Sequence, residues 1–207
     1  MVPHKTPAIL QKIMPSRLWR VKTDRKVLYL TFDDGPIPNL TEWVLDELKE
    51  KKISATFFCV GANIEKHPKI LRRIISEGHA IGNHTQHHLN GWNTPTDAYI
   101  DNITDCQSVL AKHQITTNLF RPPYGRLRWQ QKKRLSHLQV VMWDVLSKDY
   151  SQTLAKEEVL EESIRATENG SIVVFHDNLK AEENLRYALP RYIDYFMARG
   201  YQFKSLR

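Results

Sequence analysis

Cysteine and long apolar runs are scarce in this chain, and each shortage excludes a class of protein. Only two cysteines, Cys59 and Cys106, occur in 207 residues, and both lie within apolar patterns, so we predict no disulfide framework. No apolar stretch reaches the length of a transmembrane helix. Residues 1–22 carry prolines and basic residues but no signal-peptide core, so a cytoplasmic location is expected.

The charge of the chain is unbalanced but not concentrated. Lys and Arg number 30 against 23 Asp and Glu, a formal net charge of +7. The basic residues are scattered, and the two small clusters at residues 17–26 and 132–134 match no nucleic-acid-binding motif. A solvated basic face is therefore favoured over a nucleic-acid partner. Length and a hydrophobic content of 41% indicate one soluble domain.

Apolar strand patterns alternate with amphipathic helical patterns from residue 27 onward. The predicted strands are 27–30, 54–60, 79–82, 118–121, 138–143, 171–175 and 200–203, and the predicted helices are 40–51, 70–75, 95–110, 159–164 and 185–196. This alternation predicts an α/β domain over residues 27–207, with parallel strands in an open doubly wound sheet or a closed barrel. Residues 1–26 are predicted to be a lead-in packed on the domain through Ile9, Leu10, Ile13, Leu18 and Trp19.

Chemically capable polar residues follow five of the predicted strands. In parallel α/β domains the carboxyl ends of the strands meet at one edge, where active sites form. Asp33 and Asp34 come directly after the first strand, and a buried strand can carry two charges to its tip only where a metal, a cation or a reacting group compensates them. The residues after the other strands are His84, His88, Arg121, Tyr124, Asp144, Asp149 and His176.

The histidines after the third strand have the spacing of metal ligands. On a helix His84 and His88 would share one face, whereas His87 would point about a quarter turn away. With Asp34 they form a set of two imidazoles and a carboxylate that leaves a position open for water, as in hydrolytic zinc sites. Zinc is the first expectation, and cobalt or nickel suits the same ligands. The alternative is a polar loop with surface histidines.

The second carboxylate of the pair is a candidate general base. A turn at the strand end could aim Asp33 at an activated water, and Arg121 would keep it ionised through a charge-assisted pair. The backbone N–H of Tyr124 could face a developing negative oxygen. The alternative for the stretch Arg121-Pro-Pro-Tyr-Gly125 is a rigid loop without a catalytic role.

His176 follows a strongly apolar strand, and a lone histidine there can be a satisfied core residue. Because four other strand ends converge with it, we expect it to act as general acid, protonating the leaving nitrogen or oxygen. Asp149 would hold its tautomer and raise its pKa.

These residues together resemble the motifs of a known family, the polysaccharide deacetylases, which are the NodB-homology domains of carbohydrate esterase family 4. The matching stretches, in order, are Thr31-Phe-Asp-Asp-Gly35, His84-Thr-Gln-His-His88, Arg121-Pro-Pro-Tyr124 and Val174-Phe-His176-Asp177. The resemblance runs from about Val27 to the C-terminus. It implies a distorted (β/α) barrel of about seven parallel strands and metal-dependent removal of acetyl groups, usually N-acetyl, from sugars.

The resemblance also implies residue roles that agree with those reached from the strand ends. Asp33 matches the general base, His176 the general acid and Arg121 the residue that tunes the base. The residues that match the metal ligands are Asp34, His84 and His88.

One motif departs from the family pattern. The usual Asp-x-x-Asp-Trp stretch is Leu146-Ser-Lys-Asp-Tyr150 here, which keeps Asp149 as partner of the acid but changes the expected wall of the sugar groove. Val174 stands where Leu is usual. Trp92, beyond the histidines, is either a sugar-stacking ring near the site or a core residue.

The sequence therefore predicts a hydrolase that removes acetyl groups from a carbohydrate by metal-activated water, with an Asp base and a His acid. One alternative is a deacylase or amidase of a small molecule on the same fold. The other is a carbohydrate-binding protein without catalysis, which the presence of both an acid and a base disfavours.

Overall fold

A computed structural model describes residues 3–206 as a single parallel sheet with helices packed around it. The strands are β1 (Val27–Asp33), β2 (Thr56–Cys59), β3 (Ala80–Asn83), β4 (Leu119–Phe120), β5 (Gln139–Val140), β6 (Val145–Leu146), β7 (Ile172–His176) and β8 (Gln202–Phe203). The helices are α1 (Ala8–Ile13), α2 (Leu40–Glu50), α3 (Gly61–Lys66), α4 (Pro68–Ser76), α5 (Thr96–Lys112), α6 (Trp129–Arg134), α7 (Lys156–Ala166) and α8 (Glu182–Met197).

The order of the strands in the sheet is β5-β4-β3-β2-β1-β7-β6, and β8 pairs with the start of β1. Every pairing between these strands is parallel. Because β5 and β6 are consecutive in the chain yet lie at opposite ends of this order, the sheet curls into an incomplete barrel. The predicted α/β barrel of parallel strands is confirmed.

The predicted fifth strand, residues 138–143, differs from the structure. The chain forms the short strand β5 beside β4, then crosses to the other end of the sheet and forms β6 beside β7. A single ladder cannot continue across this opening, so only residues 139–140 of the predicted strand form one, and β6 lies beyond its predicted end. The helices α1, α3 and α6 were not predicted. Each has only six residues, which are too few to show a helical period of apolar side chains in the sequence.

The lead-in segment fills the opening between β5 and β6. The Leu18 amide donates to the Val140 carbonyl at 2.8 Å, and the Met142 amide donates to the Leu18 carbonyl at 2.7 Å. Farther up the chain, the Thr6 amide donates to the Asp144 carbonyl at 2.8 Å. Residues 4–20 therefore pair with both edges of the barrel.

The apolar residues of the lead-in divide into two groups. Trp19 is buried and Leu18 packs against the barrel, as predicted. The prediction was wrong for Ile9, Leu10 and Ile13, which lie on the exposed helix α1. The physical reason is that backbone pairing on either side of α1 anchors the segment, so this helix buries no side chain.

Strand β1 positions the site through its period of two. Leu28, Leu30 and Phe32 are fully buried against the helices, and each contributes about 1.5–3 kcal/mol to folding. Thr31 and Asp33 point to the opposite face, the interior of the barrel.

Among the described residues, no helix is long and apolar enough to cross a membrane.

Candidate active site

The carboxyl ends of the strands bring most of the predicted site residues together. Asp33 and His176 are neighbours in register at the ends of β1 and β7. His84 follows β3, Arg121 follows β4 and Asp149 follows β6. The parallel topology therefore gathers these side chains at one end of the barrel.

Arg121 is fully buried and is held by Asp33. Its Nη1 donates to Asp33 Oδ1 at 2.6 Å and to Thr31 Oγ1 at 2.7 Å, and its Nη2 donates to the Met142 carbonyl at 2.9 Å. The guanidinium also lies over the Phe58 ring, 4.1 Å from its centroid. Burial lowers the pKa of Arg121 and Asp33 opposes that effect, so the guanidinium remains charged.

Asp34 turns toward the histidines because its backbone leaves the strand. Its φ of 87° is left-handed, which lets two successive carboxylates face one site instead of opposite faces of the sheet. Asp34 Oδ1 lies 3.0 Å from His88 Nε2 and 3.5 Å from His84 Nε2. Burial would raise the pKa of Asp34, but the neighbouring imidazoles of His84 and His88 hold it well below its usual range.

His84 and His88 meet through a loop and not, as predicted, through a helix. Thr85 and His88 have φ values of 66° and 54°. The side-chain oxygen of Asn102 accepts the amides of Gln86 and His87 at 3.0 Å each, which holds the chain in a loop. The helical prediction was wrong because these side-chain acceptors replace the helical ladder. His87 is exposed and lies away from the ligand set, as expected.

Two contacts around the ligand set orient it, and neither was predicted from the sequence. The Arg121 carbonyl lies 2.7 Å from His84 Nδ1, so Nδ1 carries the proton and Nε2 presents its lone pair. Asn178 Nδ2 donates to Asp34 Oδ2 at 2.5 Å, which directs Oδ1 to the histidines. Asn178 lies two residues after His176, and proximity to a strand end was the only available signal.

The three candidate ligands fit a divalent metal ion. One ligand atom from each of Asp34, His84 and His88 lies within 4.8 Å of the others. Asp34 Oδ1 is buried and finds no hydrogen-bond partner in good geometry among the described residues, as expected of an oxygen reserved for a cation. A donor set of two nitrogens and one oxygen suits zinc, cobalt and nickel alike.

His176 forms a second buried pair with Asp149. Its Nδ1 lies 2.7 Å from Asp149 Oδ1, and its backbone amide donates to Asp149 Oδ2 at 2.7 Å. Burial lowers the pKa of His176, but Asp149, with smaller contributions from Asp34 and Asp33, outweighs it and raises the pKa to about 9. His176 is therefore protonated at neutral pH, with Nε2 free to donate.

Asp177 supports the turn that carries Asp34. Its Oδ1 accepts the Gly35 amide at 3.1 Å and its Oδ2 accepts the Thr41 hydroxyl at 2.5 Å. A Cβ at Gly35 would lie 2.0 Å from Asp177 Oδ2, so only glycine allows this approach. Burial raises the pKa of Asp177 to about 8.

Two further residues that follow predicted strands, Tyr124 and Asp144, lie apart from each other: Tyr124 lies beside the site and Asp144 does not. Tyr124 lies in a tight turn with a φ of 60°, and its exposed ring packs 4.7 Å from the His88 ring. Asp144 does not join the site, because it precedes β6 and binds Lys5 and Ser171 at the opposite end of the sheet. The oxyanion role of the Tyr124 amide stays a prediction.

The chain matches the family model described as polysaccharide deacetylase over residues 20–143. It belongs to the polysaccharide deacetylase family. The chain is 30% identical over 192 residues to a peptidoglycan-N-acetylglucosamine deacetylase of Bacillus cereus, covering 91% of this chain and 90% of the relative. It is 31% identical over 165 residues to a chitooligosaccharide deacetylase of Rhizobium leguminosarum bv. trifolii, covering 78% and 76%.

The fold of this polysaccharide deacetylase agrees with that of a solved structure. It superposes with a TM-score of 0.89 on a peptidoglycan N-acetylglucosamine deacetylase in complex with 4-naphthalen-1-yl-N-oxidanyl-benzamide. The two chains are 29% identical, and the match covers 97% of this chain and 95% of the other. The expected family and its barrel fold are thus confirmed.

The departures from the family pattern leave one aromatic ring, that of Tyr150, beside His176. Tyr150 stands where Trp is usual, and its ring lies edge-on to the His176 ring, with centroids 5.0 Å apart. Leu146 stands where Asp is usual and is buried in β6. Val174 is buried in β7. Trp92 is exposed, so the alternative of a core residue was wrong.

Proposed function

We propose that this polysaccharide deacetylase removes the acetyl group from an N-acetylated sugar in a metal-dependent reaction. The observation that supports this most directly is the convergence of three groups at one end of the barrel. A carboxylate (Asp33) fixed by an arginine and a protonated histidine (His176) are register neighbours beside a ligand set of two nitrogens and one oxygen. Together these supply a base, an acid and a cation site.

The residues that would hold the metal are Asp34, His84 and His88. When bound, a divalent cation supplies Lewis acidity, polarising a carbonyl oxygen and lowering the pKa of water. Asp33 Oδ2 lies 3.9 Å from His84 Nε2, so this carboxylate borders the ligand set. Asp33 accepts the proton of the attacking water, and Arg121 holds the carboxylate in place. Arg121 thus offsets the free-energy cost of burying the Asp33 carboxylate before substrate binds.

His176 completes the reaction as the general acid. Its protonated ring donates to the amide nitrogen as the C–N bond breaks, and the sugar amine and acetate leave. Asp149 holds the ring through Nδ1, so Nε2 is the atom that delivers the proton. The Tyr124 amide is proposed to stabilise the negative oxygen that develops on the acetyl carbon.

An oligosaccharide or polysaccharide substrate is supported by the open side of the site. The His88 side chain is 28% exposed, and the rings of Tyr124 and Trp92 lie in solvent. A closed pocket would suit a small molecule better. The named activities of the relatives, on peptidoglycan N-acetylglucosamine and on chitooligosaccharides, support an N-acetylglucosamine unit.

The test is acetate release from a panel containing N-acetylglucosamine oligomers, peptidoglycan fragments and O-acetylated xylan, each with added zinc and with chelator. We expect chelator-sensitive release from the N-acetylated members. Release from xylan alone would overturn the choice of an amide substrate. Metal binding without release from any member would favour a small-molecule deacylase or a carbohydrate-binding protein.

A further inference from the structure

An exposed surface of two tryptophans and two arginines adjoins the site and has no role in the proposed chemistry. We define the Trp92–Trp129 surface as Trp92, Arg126, Arg128 and Trp129. Trp92 and Trp129 are 54% and 68% exposed. Exposure of this extent is unusual for tryptophan, because its large apolar ring costs more free energy to leave in water than other side chains do.

Two chain connections tie the Trp92–Trp129 surface to the site. Trp92 lies four residues after the candidate ligand His88, so their Cα atoms are at most about 15 Å apart. Arg126 lies two residues after Tyr124, whose ring packs on His88. The surface therefore lies within a few sugar lengths of the ligand set.

The surface is held rigid from beneath by Gln131, a fully buried side chain. Its Nε2 donates to the Gly91 carbonyl at 2.8 Å, and its Oε1 accepts the Arg128 amide at 2.9 Å. A Cβ at Gly91 would lie 2.3 Å from the Arg126 carbonyl. The loop that carries Trp92 and the loop that carries Arg126 and Arg128 are thus held together through their backbones. Less conformational entropy is therefore lost when a ligand binds.

The arginines of the surface are available for an anion. The Arg126 guanidinium lies 5.0 Å from the centroid of the Trp92 ring, and Arg128 donates to the Trp92 carbonyl. Within residues 3–206 neither guanidinium is paired with a carboxylate, whereas the nearby Arg134 is paired with Asp97. Positive charge on this surface is therefore left for a partner outside the chain.

We propose that the Trp92–Trp129 surface binds a carboxylate-bearing glycan strand next to the acetylated sugar. Arg126 lies over one face of the Trp92 ring, and Lys133 Nζ lies over one face of the Trp129 ring, 3.6 Å from its centroid. Each indole therefore has its other face to offer to the C–H face of a sugar ring. Arginines beside them offer fork-shaped donors that match a carboxylate. The proposal rests on the proposed function, because it is the deacetylase site that makes a glycan the expected ligand. Single-stranded nucleic acid also binds aromatic and cationic surfaces, and the test includes it.

Binding is measured by calorimetry on the full chain carrying Asp33→Asn, so that bound strands are not consumed. The ligands are peptide-free peptidoglycan strands with free lactyl carboxylates, neutral chitooligosaccharides of equal length and a single-stranded oligonucleotide. We expect the carboxylate-bearing strand to bind about tenfold more tightly than the neutral one. We also expect that preference to shrink as salt is raised.

Variants separate the contribution of the tryptophans from that of the arginines. Trp92→Ala with Trp129→Ala should weaken both glycans about tenfold. Arg126→Gln with Arg128→Gln should abolish the preference for the carboxylate-bearing strand, so that this variant binds the two glycans with equal affinity. Arg191→Gln is the matched control, since Arg191 is an exposed arginine stacked on the Tyr187 ring of α8, and it should change neither.

Equal affinity for the two glycans, no effect of the tryptophan variants, or tighter binding of the oligonucleotide would each overturn the proposal. A separate assay of acetate release from an N-acetylglucosamine dimer by the wild-type chain distinguishes failure of this inference from failure of the proposed function. Release with unaltered strand binding in the tryptophan variants would remove this inference alone. The expected binding pattern without release from any substrate would remove the proposed function alone.

Discussion

Two buried pairs at the same end of the barrel look alike and behave differently. Asp33 and Arg121 are joined at 2.6 Å, and Asp149 and His176 at 2.7 Å. Both carboxylates are almost completely buried. The partner of the first is a guanidinium that keeps its proton at any ordinary pH, whereas the partner of the second can lose it.

This difference in partner suits the two pairs to the different tasks that we propose for them. A base must be ready to accept a proton, and a permanent cation beside Asp33 favours the charged carboxylate without competing for that proton. An acid must give up its proton and recover it. Asp149 raises the pKa of His176 to about 9 against the effect of burial, so the ring is loaded at neutral pH and still able to donate.

The largest effect is expected at the base. Asp33→Asn keeps the shape of the side chain but cannot accept a proton, so kcat should fall by about 10²–10⁴-fold while the metal affinity is kept. Steady-state acetate release and metal analysis check the two parts. Asp144→Asn is the matched control, since Asp144 is a buried carboxylate outside the site. Near-normal turnover by the Asp33 variant would contradict the assignment.

The next effect concerns stability. Arg121→Met leaves Asp33 buried without its cation, which should lower the free energy of unfolding by about 3–5 kcal/mol. Urea denaturation measures the loss. Adding Asp33→Leu to the same chain removes the stranded charge and should recover most of the stability. A single variant that loses less than about 1 kcal/mol would show that the pair is not held as tightly as its geometry indicates.

A smaller effect is expected at the acid pair. Asp149→Asn removes the charge that raises the pKa of His176, so less of the ring is protonated at pH 8 and kcat should fall about 10–100-fold. The alkaline limb of the pH profile of kcat should also move to lower pH. Tyr150→Phe keeps the carboxylate and should leave that limb in place. An unchanged profile in the Asp149 variant would mean that another group donates the proton.

The smallest effect is a slope of stability with pH in the metal-free protein. The folded pKa of His176, about 9, exceeds the ordinary value of about 6.5. Its contribution is thus complete below pH 6.5 and is lost as pH rises through 9. Asp177, with a pKa raised to about 8 by burial, acts with the same sign. Urea unfolding at pH 6, 7.5 and 9 should show a decline of at most about 1.4 kcal/mol per unit from each group. His176→Gln should reduce the slope, and a flat profile in the wild type would contradict these values.

The fold and most of the site could be predicted because both follow from residue types at strand ends. An apolar run ending in Asp33 and Asp34 requires compensation for two buried charges, whatever the tertiary details. The parallel topology then determines which other strand ends lie nearby. The sequence sufficed for this because period and polarity are local properties.

The remaining features depend on backbone geometry that periodicity does not encode. The loop from His84 to His88 has left-handed residues held by Asn102, sixteen positions beyond Gln86. The same Arg121 that binds Asp33 through its side chain orients His84 through its carbonyl. Such long-range contacts leave no pattern in the sequence. The roles of the individual residues and the cytoplasmic location stay predictions.

The most direct test of the account is a zinc titration of the chelated protein, with bound metal and acetate release measured in the same samples. We expect one zinc ion to bind per chain and release from an N-acetylglucosamine oligomer to rise in step with it. Asp34→Ala and His88→Ala should lose both together. Full release by the chelated wild type, or by either variant without bound metal, would contradict a metal-dependent mechanism at this site.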